Sequence, residues 1–338
     1  MTELLTTQST IVVGKKEMSV FREIIKFAGV KGTVRVYTEN GNLYISTYSL
    51  KYSQLVFYRN ILVQNYEGSL DIYFPIPTIK KIQHRDILQF SPQGLTIDAF
   101  KYGTEPTSFN SFPEVTENET YPHIDICRVL QEVGVVRAKE EVRAALRTVN
   151  LNENKITATD GYVLLQQTID VHFPNINIPG VEVLGKMFTE NVTMFYNNKY
   201  IKFQENGKEI IIRLFEGSYP DLSRVLNAVR DVHGRMYNLP RWEEKISSMN
   251  KNKIEMIMFD FNTDFVHLSA KEENFQVDLD LDYTGDSIKF GFNPVNLGKG
   301  IKFMSNCKTV DVHMHSPNEP ILITSDNRVA LIAPMRLK

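Results

Sequence analysis

The sequence is poor in cysteine, has no long apolar run, carries no strong charge of either sign and lacks the common catalytic signatures. Its 338 residues include 2 cysteines, Cys127 and Cys307. Neither stands in a CxxC pair, which argues against a disulfide framework and suits a reduced, cytoplasmic setting. No stretch approaches the ~18–20 apolar residues that span a bilayer, so no membrane association is expected. The start, Met1-Thr-Glu-Leu-Leu, has no basic region followed by an apolar one and does not read as a signal peptide. A formal net charge of −2 argues against wrapping nucleic acid with the whole surface. A near-neutral total still accommodates one basic face opposite an acidic one.

The sequence contains no GxxxxGKS or GxxxxGKT, no GxGxxG after a strand, no HExxH and no GxSxG. His313-Met-His315 sets two histidines on one face of a strand, but no third ligand is near in sequence, so a surface strand is the better reading. Asp160-Gly161 reads as a tight turn rather than as chemistry. No enzyme, cofactor or metal is expected.

The chain has 42% hydrophobic and 23% charged residues, ordinary for a globular protein, and its length fits two or three domains. A unit recurs along it. Glu39–Thr47, Leu151–Thr159 and Phe261–Ser269 each read as an Asn/Asp/Gly turn followed by an alternating strand, and they end 112 and then 110 positions apart. An amphipathic helix precedes each: Met18, Phe21, Ile24, Ile25 and Ala28; Ile126, Val129, Leu130 and Val133; Trp242, Ile246 and Met249. A second helix is expected after Pro77, Pro179 and Pro294, where the missing N–H costs nothing. Hairpin turns follow at Ser91–Gly94, Asn197-Asn198 and Ser316–Glu319. The repeat predicts an α+β fold of three similar domains, 1–116, 117–231 and 232–338, each with two helices on antiparallel sheets.

The helices are biased toward basic residues. Arg22 and Lys26, Lys80 and His84, Lys81 and Arg85, and Arg241 and Lys245 are each four apart, the spacing that shares a helix face. Arg128, Arg137, Lys139, Lys186, Lys299 and Lys302 lie on or beside the other helices. Each alone reads as a solvated face. Gathered on one surface, they would hold phosphates without reading bases. At the chain's end, the apolar run Val329–Ile332 reads as a buried strand, and Ala333-Pro-Met-Arg-Leu-Lys338 follows it. Its apolar side chains either wall a groove or complete a core.

Four segments resemble signatures of the bacterial DNA polymerase III β sliding clamp family, in the family's order. Thr157–Leu164 is similar to ATDGHRL, Tyr219–Leu226 to FPDYRRVLP, Tyr283–Pro294 to the YTGE…GFNP run, and the tail to MPMRL. They cover the second and third domains; the first third matches by pattern and by Phe112-Pro113. Tyr162-Val163 stands where the family has His-Arg, Ala333 replaces a Met, and Lys338 extends the usual Leu end. The resemblance implies a divergent, shorter clamp: a DNA clamp fold closed as a head-to-tail homodimeric ring, tethering polymerase and loaded by a clamp loader on double-stranded DNA. It implies a partner-peptide pocket at Leu146, Thr159, Gly161, Tyr162, Val163, Leu164, Pro220, Arg224, Val225, Asn293, Leu331, Ala333, Pro334, Met335, Arg336 and Leu337. It places Met249 at a dimer-interface position, with helix packing as the other reading. The alternative function is a clamp-like module that recruits partners without encircling DNA.

Overall fold

The computed structural model describes residues 9–29, 32–50, 55–104, 112–115, 119–139, 143–188, 192–228, 232–261, 265–270, 275–284 and 287–336. The chain begins with β1 (Ser9–Val12), α1 (Lys15–Ala28), β2 (Thr33–Glu39), β3 (Asn42–Ser49), β4 (Val56–Val63) and β5 (Asp71–Pro75). A one-turn α2 (Ile76–Ile79) leads to β6 (Ile87–Ser91), β7 (Gly94–Ile97) and β8 (Phe100–Gly103). Next come β9 (Glu119–Ile124), α3 (Ile126–Gly134), a 3-10 turn at Ala144–Arg147, β10 (Val149–Thr159) and β11 (Val163–Ile178). A second 3-10 turn, Val181–Val183, runs into α4 (Leu184–Met187), then β12 (Val192–Tyr196), β13 (Tyr200–Glu205) and β14 (Lys208–Arg213). After α5 (Ser223–Leu226) come β15 (Val232–Tyr237), α6 (Leu239–Lys251), β16 (Ile257–Phe261), β17 (Phe265–Ala270), β18 (Phe275–Tyr283) and β19 (Ile288–Phe292). The chain closes with α7 (Pro294–Met304), β20 (Thr309–His313), β21 (Ile321–Thr324) and β22 (Arg328–Ile332).

The chain forms two compact units, Met1–Cys127 with Val183–Leu214, and Arg128–Glu182 with Phe215–Lys338. Each therefore draws strands from both sides of one expected boundary. In the first unit, the described residues give a sheet in the order β5-β2-β3-β4-β14-β13-β12-β9 and a smaller one in the order β1-β6-β7-β8. In the second, one sheet runs β10-β11-β22-β21-β20-β15-β18-β17-β16-β19. Every pairing is antiparallel, and each large sheet has one seam between distant parts of the chain. At the first, Phe57 of β4 faces Ile211 of β14. At the second, Leu164 of β11 faces Leu331 of β22.

The long helices follow the apolar spacing. α1 buries Val20, Phe21, Ile24 and Phe27. Gly14 N–H donates to the Glu17 carboxylate at 2.9 Å, satisfying one orphan donor at the helix start. Gly29, at φ +75°, ends the helix with its N–H on Ile25 O, a conformation open to glycine and costly for other residues. α7 starts at Asn293, whose side chain accepts from Val295 and Asn296 N–H at 2.9 and 3.2 Å. A Cβ on Gly300 would lie 2.5 Å from Ile332 Cδ1, so glycine lets α7 settle on β22.

Three expectations are corrected. The helix expected after Pro77 begins at Ile76 and ends at Ile79; beyond it the chain turns through i+3 bonds, Asp86 captures Gln83 N–H and Arg85 adopts φ +82°. Lys80/His84 and Lys81/Arg85 therefore share no helix face. Leu151–Lys155 is not a turn; it is strand β10 with bulges around Glu153, which sits at φ +54°. Met249 is 1% exposed, packed on α6 beside buried Ile246 and Trp242. A side chain covered within its own chain offers nothing to a partner subunit, so helix packing is the reading the structure favours.

Candidate functional site

The second seam places two of the expected pocket residues, Leu164 and Leu331, side by side. Leu164, Leu322 and Leu331 form a buried cluster, with Leu222, Leu226 and Val329 packed against it. Strand alternation explains the grouping: Val329 and Leu331 project to one face of β22, while Ala330 and Ile332 project to the other, against α7. Leu322 joins because β21 pairs it directly with Leu331. Leu222 and Leu226 bracket α5 at i, i+4 and fall on one side of it. The sequence reading took Pro220, Arg224 and Val225 from this segment and missed these two leucines, although their helical spacing was present. Val225 is 39% exposed, Arg224 is exposed, and Pro220 is half-buried. Beside Pro220, burial pushes the pKa of the Tyr219 phenol up.

Backbone hydrogen bonds hold the rim. Asp160 Oδ1 accepts from Tyr162 and Val163 N–H at 3.0 and 2.8 Å. Thr159 Oγ1 accepts from Gly161 N–H and donates to Val163 O. Gly161 lies at φ +91°, which favours glycine. Buried Val163 and Thr159 fix this turn, and Tyr162 projects from it with 66% exposure. The tail is tied on both sides: Ala333 N–H donates to Tyr162 O at 2.8 Å, and Met335 N–H to Gly291 O at 2.7 Å. Ala333 and Pro334 are half-buried, Met335 is 37% exposed, and Arg336 is exposed. Leu337 lies outside the described residues. Leu146 is buried on its 3-10 turn. Asn293 serves as the α7 cap. The leucine cluster is aliphatic, and Tyr162, Val225 and Met335, on the turn, on α5 and on the tail, are exposed apolar side chains.

The expected phosphate-facing cations divide in two. Arg22 and Lys26 are exposed four apart on α1, and Lys80, Arg85, Lys139 and Lys302 are exposed on helices or on the segments that follow them; Arg241 is exposed too, with an interaction of its own. Others are engaged. Lys81 lies 4.8 Å from the Tyr102 ring centroid, Arg128 pairs with Glu132 at 3.0 Å, and Lys245 stands 3.4 Å from Glu244. Arg137 is corrected from a surface contact to an internal strut: it donates to Gly134 O and Arg147 O and pairs with Glu182. Lys299 pairs with Asp160 at 3.0 Å. The Lys186 side chain lies outside the described residues. Among the described residues no group of His, Cys, Asp and Glu could hold a metal, and no helix is long and apolar enough to cross a membrane. Cys127 is buried, and burial pushes its thiol pKa up.

No family model matches the sequence. A curated relative, the β sliding clamp of Staphylococcus aureus, is 23% identical, with 78% of each chain covered. The DNA polymerase III subunit β of Pseudomonas aeruginosa superposes with a TM-score of 0.82 at 18% identity, covering 98% of this chain and all of that one. A Helicobacter pylori β clamp bound to a DNA ligase peptide gives the same TM-score at 14% identity over 97% of this chain.

Proposed function

We propose that this chain, which is similar to the β sliding clamps and has their fold, is itself a DNA sliding clamp: a non-enzymatic processivity factor of DNA replication. The observation that carries the reading is the leucine cluster of the second seam, with a tail tied to Tyr162 and Gly291 beside it, within a fold shared over nearly the whole chain. Two copies close head to tail around double-stranded DNA, and each tethers a polymerase, or a loader during assembly, through this site. The chain reads as three repeats, 1–116, 117–231 and 232–338, joined edge to edge at the two seams. The recurring helix pairs α1/α2, α3/α4 and α6/α7 support that reading. The working compartment is the cytoplasm.

Topological retention needs little affinity, which suits a near-neutral chain with scattered exposed cations on its helices. Arg137 and Lys299, being paired internally, contribute less to that surface than their positions in sequence imply. The same pairing favours the second reading, a partner-recruiting module that does not encircle DNA. Retention on nicked circular plasmid separates the two. A clamp stays on the circle through gel filtration and is lost when the plasmid is linearised. Equal retention on both forms, or none on either when a clamp loader and ATP are supplied, would contradict the ring.

A further inference from the structure

Lys299 occupies two surroundings at once. Its ammonium donates to Asp160 Oδ2 at 3.0 Å, with 25% and 18% of the two side chains exposed. Asp160 is the residue whose other oxygen closes the turn at Tyr162 and Val163, and the carbonyl of Tyr162 holds the tail through Ala333. On its other side Lys299 lines a cavity of about 670 Å³ with Glu132 of α3, Ser247 and Asn250 of α6, and Lys302 and Phe303 of α7. The walls of this groove are helical, and Lys302 beside it is exposed. One ammonium thus stands between the rim of the peptide site and a groove on the helices.

We propose that Lys299 couples the two places: held by Asp160 it fixes the rim turn, and drawn to a phosphate in the α3–α6–α7 groove it lets that turn loosen. The identity of both ligands rests on the clamp reading. The competition is between two oxyanions of comparable hydrogen-bonding strength for one donor. Without Lys299, Asp160 keeps the two backbone bonds, so the turn persists but is less firmly set, and a peptide must supply the missing order. Linkage makes the effect mutual: whatever phosphate does to peptide affinity, peptide does to phosphate affinity by the same factor. Glu132 and Glu243 in the same groove keep phosphate binding weak, so the coupling is modest.

The test uses the full chain, a labelled 30-base-pair duplex at low salt and a fluorescent DNA ligase peptide. Peptide affinity and amide exchange at Tyr162 and Val163 are measured with and without saturating duplex. In the parent protein, duplex should weaken the peptide roughly threefold to tenfold and speed exchange at both amides. Lys299→Gln should show the weaker affinity and faster exchange without duplex, and no further change with it. Lys302→Gln, in the same groove but without the Asp160 bond, should keep the coupling. A parent protein that binds duplex with unchanged exchange, or a Lys299→Gln variant that still responds, would overturn the proposal. If peptide binds no variant while exchange still responds to duplex, the peptide reading fails and the coupling stands. If duplex does not bind, the clamp reading fails, and unchanged exchange in Lys299→Gln would then remove the positioning role as well.

Discussion

The two seams are built alike and finished differently. Each joins strands from distant parts of the chain, and each carries an apolar cluster on the sheet face away from its helices. In the first unit that cluster is aromatic and β-branched: Phe57, Val115, Phe195 and Ile211, with Tyr48, Leu55, Phe112 and Tyr200 around it. In the second it is leucine. Each seam also carries one buried or half-buried arginine, and strand register decides which face it closes. Arg59 is two residues from Phe57, so it shares the cluster face. There it makes bonds of 2.7 and 3.1 Å to Glu209 and 2.7 Å to Glu39, and stands 4.9 Å from the Phe112 ring centroid. Burial pulls its pKa down, but the Glu209 bonds more than offset this and hold it above the ordinary value. Arg328 is three residues from Leu331, so it points to the helices. It pairs with Glu132 at 2.9 Å, donates to Phe303 O and stacks on the Phe303 ring. A one-residue difference in parity thus puts the ion cluster over one seam and behind the other. The second seam keeps an aliphatic face without that ion cluster; the first is capped by charge and aromatic rings.

Mutations break or sharpen this contrast, the largest effect first. Met249→Glu should destabilise the second unit by on the order of 5 kcal/mol, because the carboxylate has no partner in that core. Thermal unfolding checks it; a clean shift from dimer to monomer at unchanged melting temperature would restore Met249 to an interface. Arg59→Ala should cost about 3 kcal/mol, since it strands Glu209, whose side chain is only 8% exposed. Adding Glu209→Leu to Arg59→Leu should recover most of that loss in denaturant titrations, because a packed apolar pair tolerates the site. Leu226→Ala, at the half-buried edge of the leucine cluster, should cost about 2 kcal/mol and weaken peptide. Val225→Glu should leave stability within about 0.5 kcal/mol, being exposed, yet abolish peptide binding measured by fluorescence anisotropy. Arg22→Glu with Lys26→Glu should leave peptide affinity untouched and shorten retention on circular DNA, with a shallower salt dependence.

What was legible in the sequence follows from how local each feature is. α1, α3 and α6 were readable because three or more apolar residues recur at helical spacing within one element, and α7 because Pro294 marks its start. The strand Val329–Ile332 was readable as a short apolar run, and the Asp160-Gly161 turn from residue types that favour tight turns. The ion pairs of Lys299 and Arg137 were not legible because their partners, Asp160 and Glu182, lie 139 and 45 residues away. No periodicity reports such a pairing. The short α2 was overextended because its stop signal is a capture of Gln83 N–H by Asp86, with Arg85 in a left-handed conformation that a charged side chain rarely adopts. The seams escaped notice altogether. Leu164 and Leu331 were named through the family resemblance, but Leu222, Leu226, Leu322 and Val329 become one surface only when β11 meets β22.

The central claim is that the second seam is where this chain holds its partners. Removing Ala333–Lys338 tests it most directly. The truncation deletes the tail's bonds to Tyr162 O and Gly291 O and the exposed Met335, while β22 keeps its ladder with β11 and β21. The account predicts that a fluorescent DNA ligase peptide, bound once per chain by the intact protein, is no longer bound. The melting temperature should fall by only the few degrees that two lost backbone hydrogen bonds imply. Peptide binding that survives the truncation, or a collapse of the fold that accompanies its loss, would contradict it.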